Sequence, residues 1–246
     1  ALDEALRLAE ASDDRPRIAR ACSFLAHALR LEGEPLRAVE MGERGLALAE
    51  ALGELGLQVQ IYDDLGQAYE AAGAYSESVR MLRRNIELLQ GDRVFEHFGK
   101  PGPSGVWSRC ALAIVLAEVG EFHEARELAE EGACVARAVE RPGSLALMQL
   151  VAGLVALRQG DLEVARGKFE EGIALSAAGE FQQYERLGRG YLGYIYALSG
   201  RVADGIALLE ETLEQAAAAR RPEWMAVLGE AHLLAGQLAL AGRDTS

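Results

Sequence analysis

Apolar residues recur along this chain at three- and four-residue spacing, in long stretches broken by short segments that each carry a glycine. That spacing predicts a succession of amphipathic α-helices. The breaks share one form: Leu31-Glu32-Gly33-Glu34-Pro35, Ala72-Gly73-Ala74-Tyr75, Val119-Gly120-Glu121-Phe122, Gln159-Gly160-Asp161-Leu162, Ser199-Gly200-Arg201-Val202 and Ala235-Gly236-Gln237-Leu238. Each glycine closes one periodic stretch, and the next begins about three residues later. The glycines return roughly every 40 residues, with a longer interval between Gly73 and Gly120, so the chain reads as an internal repeat.

A helix that turns sharply into an antiparallel partner commonly ends in the left-handed region, where glycine has no Cβ penalty. Two further positions keep register with the turn. Seven residues before it stand Ala26, Gly66, Ala113, Gly153, Gly193 and Gly229; five residues after it stand Ala38, Ser78, Ala125, Ala165, Gly205 and Ala241. All are small. Helices packed 8–10 Å apart need small residues where their backbones approach, so these two sets are expected to meet across each helical hairpin.

Small residues at these offsets, with a large residue three further on, resemble the tetratricopeptide (TPR) signature. The best copies are Leu65-Gly66-x-x-Tyr69, Leu192-Gly193-x-x-Tyr196 and Leu228-Gly229-x-x-His232. The tryptophan common early in that family's first helix is replaced by Tyr62, Arg109, Gln149, Arg189 and Met225, and the usual proline between repeats is mostly missing. The period exceeds the family's usual ~34 residues, as in the TPR-like regions of large bacterial signalling ATPases. The resemblance implies an all-α, right-handed superhelical solenoid of antiparallel helical hairpins.

From Phe95 to Leu209 the chain also resembles the C-terminal TPR region of bacterial proteins that join an adenylate/guanylate cyclase domain to a signalling ATPase domain. The residues that carry this likeness are Phe98-Gly99-Lys100-Pro101-Gly102, Ser108-Arg109, Leu116-Ala117-Glu118-Val119-Gly120-Glu121-Phe122, Leu157-Arg158-Gln159-Gly160-Asp161-Leu162 and Leu192-Gly193-Tyr194-Ile195-Tyr196-Ala197-Leu198-Ser199-Gly200-Arg201. No cyclase or nucleotide-binding motif accompanies them.

The predicted organisation is a single array over 1–246. Residues 1–12 read as the second helix of a preceding repeat, as in a piece excised from a longer protein. Full hairpins follow at 15–50, 57–90, 105–140, 143–179 and 183–219, with a partial repeat over 222–246. Pro16, Pro142 and Pro222 suit first-turn helix positions, where a missing N–H is harmless. An irregular connecting loop spans 91–105 and holds Phe95, His97, Phe98 and the run Gly99-Lys100-Pro101-Gly102-Pro103. It reads as a surface connection, or, given its two phenylalanines, as a loop folded over a groove.

Composition narrows the function. Ala, Leu, Glu and Arg are abundant and aromatics make up 6%, which favours helix and starves any sheet. The formal net charge of −13, with 38 acidic against 25 basic residues, argues against a nucleic-acid partner, whose phosphates call for a basic face. Lys100 and Lys168 are the only lysines. No apolar run approaches the ~20 residues of a membrane span, and a cytoplasmic location is expected. Cys22, Cys110 and Cys134 fall inside predicted helices without a CxxC and read as buried or half-buried thiols in a reducing compartment.

Catalytic patterns are missing. His27, His97, His123 and His232 show no i, i+4 pair, so no metal site is expected. There is no phosphate-binding loop; Gly188-x-Gly190-x-x-Gly193 matches a dinucleotide fingerprint in letters but lies within a helical pattern. Asp63-Asp64 reads as a solvated helix face, since helical neighbours point about 100° apart. Tyr184, Tyr191 and Tyr194 have the spacing of helix packing. No enzyme activity and no cofactor are expected.

Stacked hairpins bury one another's apolar faces and leave a concave surface lined by the first helix of each pair. In the TPR pattern, that lining includes Arg20, His27, Asp63, Gln67 and Glu70, then Trp107 and Ile114, then Leu154, Arg158, Tyr194 and Leu198. Such a surface suits an extended peptide or helix held by apolar anchors. The expected function is a protein-interaction and regulatory module of a bacterial signalling protein, binding a peptide or partner domain, including other domains of its own parent chain. A small-molecule sensor enclosed by the more apolar second half is the alternative, and a homo-oligomerisation array a third.

Overall fold

The computed structural model describes residues 2–179, 181–215 and 232. Among them every regular element is helical: α1 (Leu2–Ala11), α2 (Arg15–Leu31), α3 (Pro35–Leu52), α4 (Leu55–Ala71), α5 (Tyr75–Leu88), a short 3-10 helix (Gly91–Phe95), α6 (Ser104–Glu118), α7 (Phe122–Ala138), α8 (Pro142–Gln159), α9 (Leu162–Ala178), α10 (Gln182–Leu198) and α11 (Val202–Gln215). The partial repeat over 222–246, with Pro222, Gly229, Gly236 and Ala241, and the end of the hairpin at 183–219 lie outside the described residues, except that His232 is helical and buried.

Helix starts and stops follow local chemistry. The Asp14 carboxylate accepts from the Arg17 N–H at 3.1 Å and that of Asp161 from the Val164 N–H at 3.1 Å, capping the first turns of α2 and α9. Pro16 and Pro142 sit in the first turns of α2 and α8. Gly33, Gly73, Gly120, Gly160 and Gly200 all have positive φ, between 75° and 89°. An added Cβ at these glycines would meet nothing within 4 Å, so the requirement is conformational and not steric. Gly200→Ala is expected to cost about 1 kcal/mol, seen as a small loss of urea stability with the helical signal of the native state intact.

The chain divides into two compact units, one through Val139 and one from Glu140. In the first, α4 packs against α2 and α3 on one side and α5 and α6 on the other, so α2, α4 and α6 form one continuous wall. Its core includes Ile61, Leu65 and Leu82, all essentially inaccessible, with Cys22 packed on Ala9 and Ile18. In the second, α8 pairs with α9 and α10 with α11, while α10 also packs on α8 and α9. Phe169 is fully buried and stacks on Tyr191 with ring centroids 5.1 Å apart.

The small positions meet across the hairpins. Ser78 Oγ donates to the Gly66 carbonyl at 2.7 Å. A Cβ on Gly205 would lie 2.6 Å from the Gly193 carbonyl oxygen, and one on Gly153 would press the Phe169 ring at 3.0 Å. Ala38, Ala125 and Ala165 are fully buried. Close backbone approach, permitted by absent side chains, thus fixes how the Gly66–Ser78 and Gly193–Gly205 hairpins close.

Candidate partner-binding surface and the Lys100 loop

The α2–α4–α6 wall carries a buried charged cluster. On α4, Asp63 is 1% and Asp64 7% exposed. Lys100 reaches down from the loop before α6, placing its ammonium 2.6 Å from Asp63 Oδ2 and 3.4 Å from Asp64 Oδ1. From α2, Ser23 Oγ donates to Asp64 Oδ2 at 2.9 Å, and His27 Nδ1 lies 3.6 Å from Asp64 Oδ1. Gln67 Nε2 donates to Asp63 Oδ2 at 3.1 Å, while Asp63 Oδ1 is buried without a hydrogen bond.

The solvated-face reading of Asp63-Asp64 is therefore corrected. Both carboxylates are covered, because a loop far along the chain lies over them. Helical periodicity says which way a side chain points and is silent on what arrives from elsewhere.

Several contacts position that loop. Phe98 and Gly99 both adopt the left-handed region, at φ 40° and 81°, an uncommon state for phenylalanine. The Gln60 side chain donates to the Phe98 carbonyl at 2.6 Å. A Cβ on Gly99 would lie 2.0 Å from that same amide nitrogen and would push the Gln60 side chain off the Phe98 carbonyl, while the φ of 81° itself favours glycine. The Lys100 N–H donates to the His97 carbonyl at 2.8 Å, and Ser104 bonds back through its N–H to Glu96 O and its hydroxyl to His97 O. Gly105 admits Val94, whose carbonyl oxygen would be 2.6 Å from an added Cβ. Between the two readings of this segment, its geometry is that of a loop folded onto the wall, and its first residues form the 3-10 helix.

Electrostatics follow from burial and pairing. Burial pushes the Asp64 carboxyl upward, but His27, the Lys100 charge and the Ser23 hydroxyl outweigh it and hold it below the ordinary carboxylate range. Burial disfavours the Lys100 ammonium, and the two aspartates more than reverse this, holding it above the usual lysine value. Burial raises Glu70, against the pull of Arg30 and with the push of Glu118. Cys110 is driven to about 12 by burial, with Asp63 and Glu70 adding to it, so this thiol is inert as a nucleophile at neutral pH. Cys22 is also buried, but Cys134 on α7 is exposed, which corrects the reading of all three as covered.

The predicted groove residues are placed unequally. Arg20 and His27 are exposed on α2, Gln67 and Glu70 are half-buried on α4, and Trp107 and Ile114 are half-buried on α6. In the second unit, Arg158 and Leu198 are exposed and Tyr194 is half-buried. Two of these residues are buried. Asp63 is sealed beneath Lys100, and Leu154 belongs to the apolar core of α8, at 7% exposure. Tyr191 and Tyr184 are engaged with Phe169 and Phe181, which is packing. Sequence reasoning missed Lys100 and Gln60; a lysine held between glycines and prolines in a chain with two lysines was the available signal.

Among the described residues, no three His, Cys, Asp or Glu side chains are placed to hold a metal ion, and no helix is long and apolar enough to cross a membrane. Gly188, Gly190 and Gly193 all lie within α10, away from any strand–helix turn.

No protein-family model matches the sequence, and no curated protein matches it. Solved structures do share its fold. A Rap protein complexed with Competence and Sporulation Factor superposes with a TM-score of 0.77 at 16% identity, covering 95% of this chain and 67% of that one. The STAND signal-transduction ATPase of Pyrococcus horikoshii, which has a tetratricopeptide repeat sensor, gives 0.65 at 13% identity over 97% of this chain and 37% of that one. A thermophilic TPR protein of Thermus thermophilus gives 0.61 at 18% identity over 87% of this chain and 99% of that one. The fold is that of tetratricopeptide-type repeats, an all-α helical solenoid.

Proposed function

We propose that this chain is a non-catalytic interaction module of a bacterial, cytoplasmic signalling protein, and that the α2–α4–α6 wall binds a peptide or a partner domain. One observation carries the reading: the wall holds two buried carboxylates whose charge is met by a separate loop lying across it. A helical stack has no structural need of such a cluster, since desolvated charges seldom add net stability compared with apolar packing. The fold likeness to a Rap protein in complex with Competence and Sporulation Factor and to the TPR sensor of a STAND ATPase supports a recognition role, and the acidic composition disfavours nucleic acid.

A peptide-display selection against the purified chain tests this, with the recovered peptides titrated by fluorescence anisotropy. Saturable binding is expected, weakened at least tenfold by Arg20→Glu, Gln67→Ala or Trp107→Ala. Glu40→Ala on α3 and Glu77→Ala on α5 are expected to leave it unchanged. Failure to recover any saturable ligand, or equal losses from both sets, overturns the proposal.

A further inference from the structure

Lys100 is bound as a ligand would be bound. Its ammonium enters from an irregular segment, contacts Asp63 and Asp64, and lies against a wall built from α2 and α4. Its side chain keeps 19% of its exposure, so the seat opens to the surface. The seat is not fully used either, because Asp63 Oδ1, on a residue 1% exposed, has no hydrogen-bond partner. A buried carboxylate oxygen left without a donor is an acceptor that a cation with more N–H groups, or one set slightly differently, would satisfy.

The holding segment is conformationally stressed. Phe98 occupies the left-handed region beside Gly99, a state that is strained for a bulky side chain. Contacts at Gln60, His97 and Ser104 keep the segment in place. Beside the seat, α2 presents Arg20, Phe24, His27 and Leu31 at i, i+4, i+7 and i+11, one stripe of the helix. Phe24 is 55% and Leu31 66% exposed, and His27 on that stripe faces Asp64. An apolar surface thus adjoins the anionic seat.

We infer that the Asp63–Asp64 seat recognises a basic side chain of a partner peptide, with an apolar neighbour on Phe24, and that the Lys100 loop is an internal occupant the partner displaces. This rests on the reading of the wall as a peptide-binding surface, and it adds the chemistry of the partner and a built-in competitor. The intramolecular lysine sets a threshold: a partner must outcompete a tethered group of high effective concentration. Only a segment that also gains contact on the α2 stripe would do so.

The test uses the full chain and a fluorescein-labelled seven-residue peptide pool with fixed central lysine and a leucine four positions away. Matched pools carry N-acetyllysine or norleucine at the centre. The expected result is that Lys100→Met binds the lysine pool at least tenfold more tightly than the wild type and gains nothing for the other two pools. In the wild type, saturating lysine pool is expected to speed amide exchange at Lys100 and Ser104, whose N–H groups are bonded within the loop. This second measurement needs no variant and stands if Lys100→Met fails to fold. Peptide that binds the wild type while exchange at Lys100 and Ser104 is unchanged or slowed overturns displacement but leaves the peptide-binding wall. Equal affinity for the three pools overturns the cation seat. Binding of none of the pools by either protein overturns the inference, while ligands recovered from the unbiased display selection would still uphold the wall.

Discussion

Replacing Lys100 by methionine is expected to lower the unfolding free energy at pH 7 by about 3 kcal/mol, the scale for stranding a buried charge by removing its partner. The methionine keeps much of the apolar stem and removes the ammonium. Asp63 and Asp64 are then left facing a low-dielectric wall with Ser23, Gln67 and His27 as their remaining neighbours. The pH dependence distinguishes this from a packing defect. In the wild type, the depressed Asp64 contributes stability that is present above the unfolded carboxylate value near 4 and is lost as pH falls through the lower folded value. Lys100, raised when folded, contributes stability that is fully present below its unfolded value of ~10.4 and is lost only as pH rises through the folded one.

In the variant the pull of the Lys100 charge on Asp64 is gone, so the folded Asp64 carboxyl binds a proton more readily than it does in the wild type. Lowering the pH from 7 to 4 therefore costs the variant less stability than it costs the wild type, and the gap between them narrows. Urea unfolding at both pH values, followed by circular dichroism, checks this. A gap that stays constant between pH 7 and 4 would indicate lost packing and count against the charge cluster.

Adding one methyl group at Gly205 is expected to be as damaging as removing that charge. The new Cβ would lie 2.6 Å from the Gly193 carbonyl oxygen and 2.8 Å from the Ala197 nitrogen. Both are backbone atoms of α10, so no rotamer change relieves the clash and α11 must move away. That movement uncovers Leu209, which is fully buried against this contact. Gly205→Ala should cost about 3 kcal/mol, the upper part of the range for overpacking. Gly167→Ala is the control. That glycine is also helical, on α9, but an added Cβ would meet nothing within 4 Å, so a gain of roughly 0.5–1 kcal/mol in helix stability is expected. Thermal unfolding of the two variants gives opposite signs if packing, and not propensity, governs Gly205. At Gly66 the obstacle is the Leu82 side chain, which can rotate, so Gly66→Ala should be milder than Gly205→Ala.

The fold was legible because its demands are local. A turn that needs φ near +80° is met by a glycine whatever surrounds it, and Gly33, Gly73, Gly120, Gly160 and Gly200 all adopt that state. The crossing positions were legible for a related reason: two backbones in close approach leave room for Gly, Ala or Ser alone, so the constraint is written as small residues at fixed offsets, as at Gly66 and Ser78. The site was only half legible. Arg20, Gln67 and Trp107 stand on the first helices at accessible or half-buried positions. Leu154 was assigned to the surface because a helix that is apolar nearly all round, as α8 is, gives no phase from which to choose a face.

Sequence alone thus carried the helices, their turns, the repeat and the close contacts within each hairpin, since each depends on residues near in the chain or on residue size at a fixed register. Only the tertiary structure decided the state of Asp63 and Asp64. Their burial depends on Lys100, 36 residues beyond Asp64, and on the left-handed turn at Phe98 and Gly99 that aims it. The identity of a charge's partner is a property of the folded chain, because the Coulomb attraction that pairs lysine with aspartate acts through space and leaves no spacing rule in the sequence.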